Sequence, residues 1–489
     1  MINSMEKSLD PRLMNATSVH SGKLTDSTTS SSASGTAGRG SSGEPKALTI
    51  TAATANPQMF TLPWYLPLAK WPKDLLVNLP RGISRHVVRF VRVGDSVMAM
   101  KEINMAVAQR EYEMLRSLEK LDLPAVKPVA VVSGRHDSRS EPLESILVTE
   151  QLKFSLPYRA LFARNIREDT AERLIDALAV LLVRLHLQGF YWGDVSLSNV
   201  LFLRDADSFT AVLVDAETGA LYGNLTEGQR EYDIDLARTN IIGELMDLQA
   251  GALLPSEVDE VEVGNRLVER YHSLWQALTG TDTFGPDEMW KIEKRVNDLN
   301  ELGFYVDELE VTTDEDGAHV HVRPRVVDAG YASRKLLRLT GLDVQENQAR
   351  RLLNDLDAYR ASTWRQDEPI EIVATDWMRE VFEPTVRMIP AEYRNQIEPA
   401  QFFHEVLTHR WYLAERAGHD VSMGVAIQSY IDDYLSDYKI DTQVMKAITE
   451  EQDSGVVDDA DNYGADGYQQ NEDGYNPEDD PDAAVWAAS

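Results

Sequence analysis

The sequence predicts an α+β protein in which a β-rich lobe precedes a helical lobe and a mainly α-helical domain follows. Three features carry this prediction. Two strand-like runs, residues 86–93 and 96–103, flank a Gly-Asp turn, and leucines recur at helical spacing between residues 174 and 185. A second hairpin pattern interrupts a helical stretch after residue 300. Alternation with a period of two indicates strands, whereas spacings of three and four residues indicate one face of a helix.

The composition excludes several classes of protein. The chain of 489 residues contains no cysteine, which rules out a disulfide scaffold, cysteine-ligated zinc, an iron–sulfur cluster and a thiol nucleophile. Its net charge of −32 opposes binding to nucleic acid or to an anionic membrane surface. The sequence has no signal-peptide pattern and no apolar run of roughly 18 residues, so we expect a cytoplasmic protein without a membrane span.

Both ends of the chain are predicted to be disordered. Residues 1–55 form an arm rich in Ser, Thr and Gly, which buries too little apolar surface to offset the entropy of ordering. Residues 450–489 form an acidic tail. Twelve Asp and Glu lie in residues 451–489, so the rest of the chain still carries a net charge of −20. Such a tail solubilises the protein or docks a protein partner, and solubilisation is the more common role.

The first folded unit is expected over residues 60–254. Its β-rich part contains the hairpin, a helix over residues 106–121 and strand-like segments at 126–134 and 145–152. Its helical part begins at residues 170–189, where Gly189 supplies a stop after leucines that share one face. The second unit, residues 256–440, is predicted to be mainly helical with one hairpin around residues 314–317.

A short polar segment within the first unit separates a predicted helix from a predicted strand. Asp194 and Asn199 lie in this segment, and Asp215 follows the next strand, so two antiparallel strands would bring the three side chains together. Carboxylate and amide oxygens suit a hard cation, and an aspartate can act as a general base. Asp and Asn are also common turn residues, but three at these positions favour a site for phosphoryl transfer.

The segment resembles the motif H-x-x-G-x-x-x-x-D-x-x-x-x-N-x-L of the protein-kinase-like superfamily. The matching residues are His186, Gly189, Asp194, Asn199 and Leu201, with Asp215 in place of the DFG aspartate. The resemblance implies a two-lobed protein-kinase-like fold that uses ATP and Mg²⁺ or Mn²⁺ to phosphorylate a hydroxyl group of an unidentified acceptor. It implies Asp194 as the catalytic base and Asn199 and Asp215 as metal ligands, while His186 would buttress the loop.

The same resemblance extends to the β-rich lobe. Lys101, in VMAMKEI, corresponds to the strand lysine that grips the α- and β-phosphates, and Glu111 to the helix glutamate that pairs with it. Glu150 and Leu152 lie in the segment that corresponds to the adenine-binding hinge. Gly82 is the one glycine suitably placed for the loop that covers the phosphates.

The sequence also departs from protein kinases. Gly193 replaces the arginine of HRD and no APE-like segment follows Asp215, so regulation through activation-loop phosphorylation is not expected. Glu217 replaces the glycine of DFG and could add a metal ligand. The chain looks more like the lipopolysaccharide kinases and antibiotic phosphotransferases of the superfamily. Because a full glycine-rich loop is absent, two interpretations stay open: an active phosphotransferase, and a nucleotide-binding pseudokinase that acts as an interaction module.

Other candidate groups are less specific. His404 and His409 are five residues apart, which rotates them by about 140° around a helix and prevents them from sharing a metal. His319 and His321 share a strand face, but without a third ligand an exposed hairpin face is favoured. A basic set is expected mainly to pair with surrounding acids. It comprises Arg334, Lys335, Arg338, Arg350 and Arg351.

The second unit resembles the actinobacterial domain of unknown function 4032, which occurs behind a lipopolysaccharide-kinase-like domain. The segments DLNELGFYVDELEV and FFHEVLTHRWYLAERAG carry this resemblance. The family brings no assigned chemistry. We expect the domain to supply a surface for a protein partner or for the substrate.

Overall fold

The computed structural model describes residues 48–54, 56–79, 86–162, 168–254, 258–284, 288, 290–302, 304–313 and 320–435. Several predictions fall outside these residues. They concern Gly82, His319, the arm up to residue 47 and the acidic tail. The turn of the second hairpin, residues 314–319, also lies outside them.

A five-stranded antiparallel sheet forms the β-rich lobe, with the strands in the spatial order β1-β4-β5-β3-β2. The strands are β1 (Thr49–Ala52), β2 (Val87–Val93), β3 (Ser96–Ile103), β4 (Pro128–Ser133) and β5 (Ser145–Glu150). The predicted hairpin is confirmed, because β2 and β3 pair in continuous register with Phe90 opposite Ala99. Gly94 turns the chain between them at φ +65°, a conformation that glycine adopts without steric cost.

Strand β1 corrects the prediction that residues 1–55 form a disordered arm. Thr49–Ala52 pairs with the edge of β4, with Ile50 opposite Val132. Its sequence, Thr-Ile-Thr-Ala, is mostly β-branched, which favours an extended strand once a partner edge supplies hydrogen bonds. The average composition of the arm conceals this short segment.

Helix α1 (Met105–Lys120) packs against β4 and β5 and carries a buried acid. Asn104 caps its first turn by accepting a hydrogen bond from the backbone N–H of Ala106 at 2.9 Å. The buried face contains Ala108, Tyr112, Leu115 and Leu118. Glu111 lies on this face and is only 1 % exposed, so its carboxyl group requires a partner.

The helical lobe follows, built from helices and short strands. Its described helices are α2 (Tyr158–Phe162), α3 (Glu168–Leu187), α4 (Glu227–Ala250) and α5 (Glu260–Thr279). Its described strands are β6 (Leu156–Pro157), β7 (Phe190–Tyr191), β8 (Val200–Asp205), β9 (Ser208–Leu213) and β10 (Ala220–Leu221). Strands β6, β8 and β9 form one antiparallel sheet, and β7 pairs with β10. None of the helices that the structure describes has the length and hydropathy needed to cross a membrane.

Helix α3 matches its predicted pattern, and α5 extends the packing of the lobe. Leu174, Leu178, Leu181 and Leu185 of α3 are all buried. Helix α5 begins after residue 254, where the first unit was expected to end, yet it packs against α3 and α4. Leu267 and Tyr271 of α5 belong to the same hydrophobic core as the α3 leucines. The same core also contains Leu299 and Phe304, so the core of the helical lobe reaches well beyond residue 254.

The rest of the described chain is the mainly helical domain with its hairpin. The strands are β11 (Asp282–Phe284), β12 (Phe304–Thr313) and β13 (Val320–Ala329). The helices are α6 (Trp290–Glu301), α7 (Tyr331–Thr340), α8 (Glu346–Ser362), α9 (Ile370–Trp377), α10 (Glu383–Arg387) and α11 (Pro399–Ala417). The predicted second hairpin is confirmed, since β12 pairs antiparallel with β13. Trp377, Phe382 and Phe403 pack together in the core of this domain.

The turn between β8 and β9, residues 205–208, inserts into the helical domain. Asp205 is buried and accepts hydrogen bonds from the backbone N–H of Gln348 at 2.8 Å and from the Asn347 amide at 3.1 Å. Both donors lie in the first turn of α8, where backbone N–H groups lack helical partners. Asp205 thus caps a helix of the other domain, and Asp207 pairs beside it with Arg351 at 2.8 Å.

The buried carboxyl group of Asp205 should make stability depend on pH. Burial raises its pKa to about 6, with Glu346 adding to the effect and the Gln348 and Thr210 hydrogen bonds opposing it. The folded protein therefore binds this proton more tightly than the unfolded chain, so the contribution to stability is lost as the pH rises through 6. We expect the free energy of unfolding of wild type to fall by about 1 kcal/mol more than that of Asp205→Asn when the pH is raised from 5 to 7. Urea unfolding at the two pH values measures this difference. A constant difference between the two proteins would contradict this expectation.

Candidate active site

A cleft of about 770 Å³ is lined by side chains from both lobes. Eight of the residues predicted from the sequence lie on its walls: Lys101, Glu111, Glu150, Leu152, Asp194, Asn199, Asp215 and Glu217. These residues come from two strands, a helix and three loop segments. The fold brings them to one cavity, in which all but the hinge residues Glu150 and Leu152 form two groups.

The first group surrounds the ammonium group of Lys101 on β3. Lys101 Nζ donates to Asp215 Oδ2 at 2.6 Å, to Glu111 Oε2 at 3.1 Å and to Glu217 Oε2 at 3.1 Å. The partner that the buried Glu111 requires is thus the lysine that the sequence pairs with it. Glu217 reaches the same nitrogen because its backbone N–H donates to Asp215 Oδ1 at 3.0 Å, which folds the two acids into one turn.

The electrostatics of this group follow from three carboxyl groups facing one ammonium group. Burial would lower the pKa of Lys101, but Glu111, Asp215 and Glu217 outweigh it and raise that pKa above its usual value. Burial raises the pKa of Glu111 to about 8, and Asp215 adds to the effect against the opposing influence of Lys101. The group has more acidic side chains than one lysine can neutralise, which favours binding of a further cation.

The donor set also fits a divalent metal ion. One carboxylate oxygen each from Glu111, Asp215 and Glu217 lie within 4.8 Å of one another. Hard cations such as Mg²⁺ and Mn²⁺ prefer oxygen ligands of this kind. Two of these acids, Asp215 and Glu217, are metal ligands predicted from the sequence, and the third predicted ligand, Asn199, lies in the second group.

The second group is the loop that carries Asp194 and Asn199. The Asn199 side-chain amide donates to the backbone carbonyl of Asp194 at 3.0 Å and to its Oδ2 atom at 3.2 Å. This fixes the carboxylate of Asp194 and leaves the Oδ1 atom of Asn199 as the atom that would take a metal ion. The backbone N–H of Val214 donates to the Asn199 carbonyl at 3.0 Å. Asp215 is the next residue, so this hydrogen bond keeps it close to the loop.

Asp233 in α4 holds the loop from below and was not predicted from the sequence. It is fully buried and accepts hydrogen bonds from the backbone N–H groups of Trp192 and Gly193, both at 2.8 Å. His186 Nε2 lies 3.1 Å from Asp233 Oδ2, and its Nδ1 lies 2.7 Å from the Tyr271 hydroxyl. His186 therefore contacts the acid beneath the loop. The signal in the sequence is faint, because Asp233 is one of several acids in a largely polar helix.

Glu244, also in α4, holds the other end of the loop and was likewise not predicted. Its carboxylate accepts the backbone N–H of Leu197 at 2.7 Å and that of Ser198 at 2.9 Å. The Ser198 hydroxyl donates to the same carboxylate. Burial raises the pKa of Glu244, and the Ser198 and Leu197 hydrogen bonds oppose that change. Two acids of one helix thus orient both halves of the Asp194 loop.

The opposite end of the cleft is apolar and lies beside the predicted hinge. Val88, Ala99, Leu201 and Val214 contribute to its walls, together with Thr149, Glu150 and Leu152. The backbone N–H of Gln151, between the two predicted hinge residues, donates to the carbonyl of Val97 at 3.1 Å and anchors this segment to β3. An apolar end next to a polar cluster suits a nucleotide base and its phosphates.

The remaining candidates contact other parts of the protein. His404 Nε2 lies 3.2 Å from Asp207 Oδ1, and His409 Nε2 lies 2.9 Å from the Ser429 hydroxyl. His321 Nδ1 lies 2.9 Å from the Thr283 hydroxyl. Within the basic set, Arg334 pairs with Asp122 at 2.7 Å and Arg351 with Asp207 at 2.8 Å. These two arginines pair with acids, as expected, and both acids belong to the first unit.

The β-rich lobe, the helical lobe and the cleft between them define a protein-kinase-like fold. Comparison with known families makes this more specific. Residues 91–240 match the lipopolysaccharide kinase (Kdo/WaaP) family, and residues 273–435 match the domain of unknown function DUF4032. The chain thus contains a kinase-family domain followed by a DUF4032 domain, as the sequence motifs indicate.

Among solved structures, the chain is similar to one described as WaaP in complex with acyl carrier protein. The two are 16 % identical with a TM-score of 0.29, and the match covers 47 % of this chain and 90 % of the other. A search of curated proteins gave no significant match.

Proposed function

We propose that the protein is an ATP- and Mg²⁺-dependent phosphotransferase that acts on a hydroxyl acceptor. The observation that carries this proposal is the convergence of Lys101, Glu111 and Asp215 in the same cleft as the Asp194–Asn199 pair. Phosphoryl transfer requires a cation for the phosphates, metal ligands and a group that positions the nucleophile. Membership of residues 91–240 in a kinase family supports the same conclusion.

The apolar end of the cleft would hold the adenine base. Val88 and Ala99 lie on one side and Leu201 and Val214 on the other, so the base would be enclosed between the two lobes. The phosphates would then extend towards Lys101, whose ammonium group is held in place by Glu111. A buried glutamate on a rigid helix fixes the lysine better than solvent could, which lowers the reorganisation needed on binding.

The acceptor hydroxyl would be oriented by the second group. Asp194 accepts its proton, and the hydrogen bond from Asn199 keeps the carboxylate in a defined position. Asn199, Asp215 and Glu217 are the residues that would hold magnesium. When bound, this ion neutralises negative charge on the phosphates and helps align them for transfer. Asp233 and Glu244 would act as positioning residues, because they bind the backbone of the loop.

Nucleotide binding can be tested with Lys101→Met. At an ATP concentration about 100 times the dissociation constant, MgATP should stabilise wild type by about 2.7 kcal/mol. Loss of the Lys101 ammonium group should weaken MgATP binding at least roughly tenfold and thereby remove about half of that stabilisation. Thermal unfolding with and without MgATP measures the effect, with each variant compared to its own nucleotide-free state.

Lys120→Met provides the matched control, since this lysine is exposed at the end of α1. It should be stabilised by MgATP as much as wild type. The proposal requires ADP formation by wild type in the same samples. Equal stabilisation of Lys101→Met and wild type would remove Lys101 from the nucleotide site.

A further inference from the structure

The cleft continues beyond the kinase-family domain into residues of DUF4032. On one side of its outer half lies a face of α4, formed by Thr239, Asn240, Gly243, Glu244 and Asp247. The other side is formed by residues 395–398 and Gln401, which belong to the DUF4032 domain. The described residues of both domains fall in one compact unit. The cavity that contains Asp194 is therefore bounded by two domains.

The DUF4032 side of the cleft is fixed to the strand that follows the Asp194 loop. Gln348 Nε2 donates to the backbone carbonyl of Arg204, to Glu398 Oε2 and to Gln401 Oε1, each at 3.0 Å. Gln401 Nε2 donates in turn to the carbonyl of Ala206 at 3.2 Å. Arg204 and Ala206 lie at the end of β8, which begins one residue after Asn199.

This anchoring ties Glu398 and Gln401 of the outer wall to the end of β8. Gln348 is fully buried between the two domains and connects the wall to the strand with one side chain. A group held by such a network has few alternative positions, because breaking it leaves buried polar atoms without partners. The distance between the wall and the catalytic loop is thus set by the fold.

We propose that DUF4032 is the acceptor-recognition element of the phosphotransferase, with residues 395–401 forming the wall against which the acceptor lies. This inference rests on the proposed function. The nucleotide half of the cleft is lined by the kinase-family domain, so nucleotide binding does not involve the wall. The acceptor must instead fit between α4 and the wall to place its hydroxyl group at Asp194.

The charges around the outer half indicate the class of acceptor. Its described carboxyl groups are those of Asp194, Glu244, Asp247 and Glu398, and they face one guanidinium group, that of Arg204. An acceptor that already carries phosphate or carboxylate groups would be repelled by this surface. The wall carries the amide side chains of Asn395 and Gln396, the latter donating from Nε2 to the Glu392 carbonyl at 3.1 Å, and amides hydrogen-bond to hydroxyl and amine groups. The acceptor is therefore a neutral or cationic hydroxyl compound.

The test fills the outer half of the cleft without touching its nucleotide half. Gln396 is exposed and lines the cleft, so Gln396→Trp adds bulk there while the core of the domain is preserved. Ala391→Trp is the control, because it places the same side chain at an exposed position of the same turn, outside the cleft lining. Asn395→Trp serves as a second variant at the wall.

The acceptor source is an extract of cells that make this chain naturally, passed over an anion exchanger to give a neutral-and-cationic pool and an anionic pool. Transfer of label from γ-labelled ATP to each pool is measured, together with MgATP affinity. Wild type and Ala391→Trp should label the neutral-and-cationic pool equally. The MgATP affinity of both wall variants should stay within about twofold of the wild-type value. The same variants should transfer at least about 90 % less label to the pool. They should also need a larger amount of the pool to reach half of their maximal labelling rate.

Each other outcome has a distinct meaning. Undiminished labelling by the wall variants overturns the assignment of DUF4032 as the acceptor wall. Labelling confined to the anionic pool overturns the assigned class of acceptor. Failure of wild type to bind MgATP or to label either pool rejects the proposed function itself, and the inference falls with it.

Discussion

Replacing Asp194 by Asn should lower phosphoryl transfer by about 10²–10⁴-fold and leave MgATP binding intact. The substitution keeps the size of the side chain. It also keeps one oxygen that can accept the hydrogen bond from Asn199, whose Nδ2 atom lies 3.2 Å from Asp194 Oδ2 in wild type. What is lost is the carboxylate that we propose as the acceptor's proton-abstracting base. The direct hydrogen bonds of Lys101 go to Glu111, Asp215 and Glu217, so the group that we propose binds the phosphates keeps its contacts.

Initial rates of ADP formation and MgATP titrations on the same samples check this expectation. Asp357→Asn is a suitable control because this acid is exposed on α8, and it should retain the wild-type rate. A variant at position 194 that keeps its rate within about threefold would exclude Asp194 as the base. If wild type and Asp194→Asn bind MgATP but neither forms ADP, the protein is a nucleotide-binding interaction module.

Asp233→Ala should lower the free energy of unfolding by about 3–5 kcal/mol. The substitution removes the buried carboxylate and leaves the groups that it pairs with unpartnered. Its carboxylate accepts the backbone N–H groups of Trp192 and Gly193 and contacts His186; the contacts with Trp192 and His186 are buried, and the one with Gly193 is partly buried. Without the carboxylate, one buried N–H donor and one partly buried N–H donor lose their acceptor. Gly193 also adopts φ +77°, so the loop depends on these bonds to keep its turn.

Urea unfolding of wild type, Asp233→Ala and Asp235→Ala measures this effect. Asp235 lies two residues further along α4 and is exposed, so its removal should change stability by less than about 0.5 kcal/mol. Similar losses for the two variants would show that the loop is held by other contacts. Asp233→Asn should lie between wild type and Asp233→Ala, because the amide keeps one oxygen acceptor.

Local patterns in the sequence account for the elements and for most of the candidate site. The hairpin that carries Lys101 follows from alternation around a Gly-Asp turn, and α3 follows from its leucine spacing. The Asp194–Asn199 loop lies between two such predictable elements, and the short connection limits where its side chains can lie. Local patterns do not predict the burial of Glu111, because an acid on an apolar helix face is stable only when a partner such as Lys101 pairs with it.

The parts that could not be predicted depend on contacts between distant residues. Asp233 and Glu244 resemble the other polar residues of α4, and what distinguishes them is burial against a loop about 40 residues earlier in the chain. The contact of Asp205 with Gln348 joins positions that no local periodicity relates. Strand β1 likewise needs the edge of β4, since four residues cannot form a stable strand alone.

The inserted turn at residues 205–208 also constrains how this protein can evolve. Asp205 serves a helix of DUF4032 as its cap, and Gln348 serves the β8 strand of the kinase-family domain as a donor. A change on either side leaves a buried group of the other domain without its partner. Exchanging one of the two domains for that of another protein would therefore leave buried polar groups of the other domain unpaired, unless the matching residues were exchanged with it.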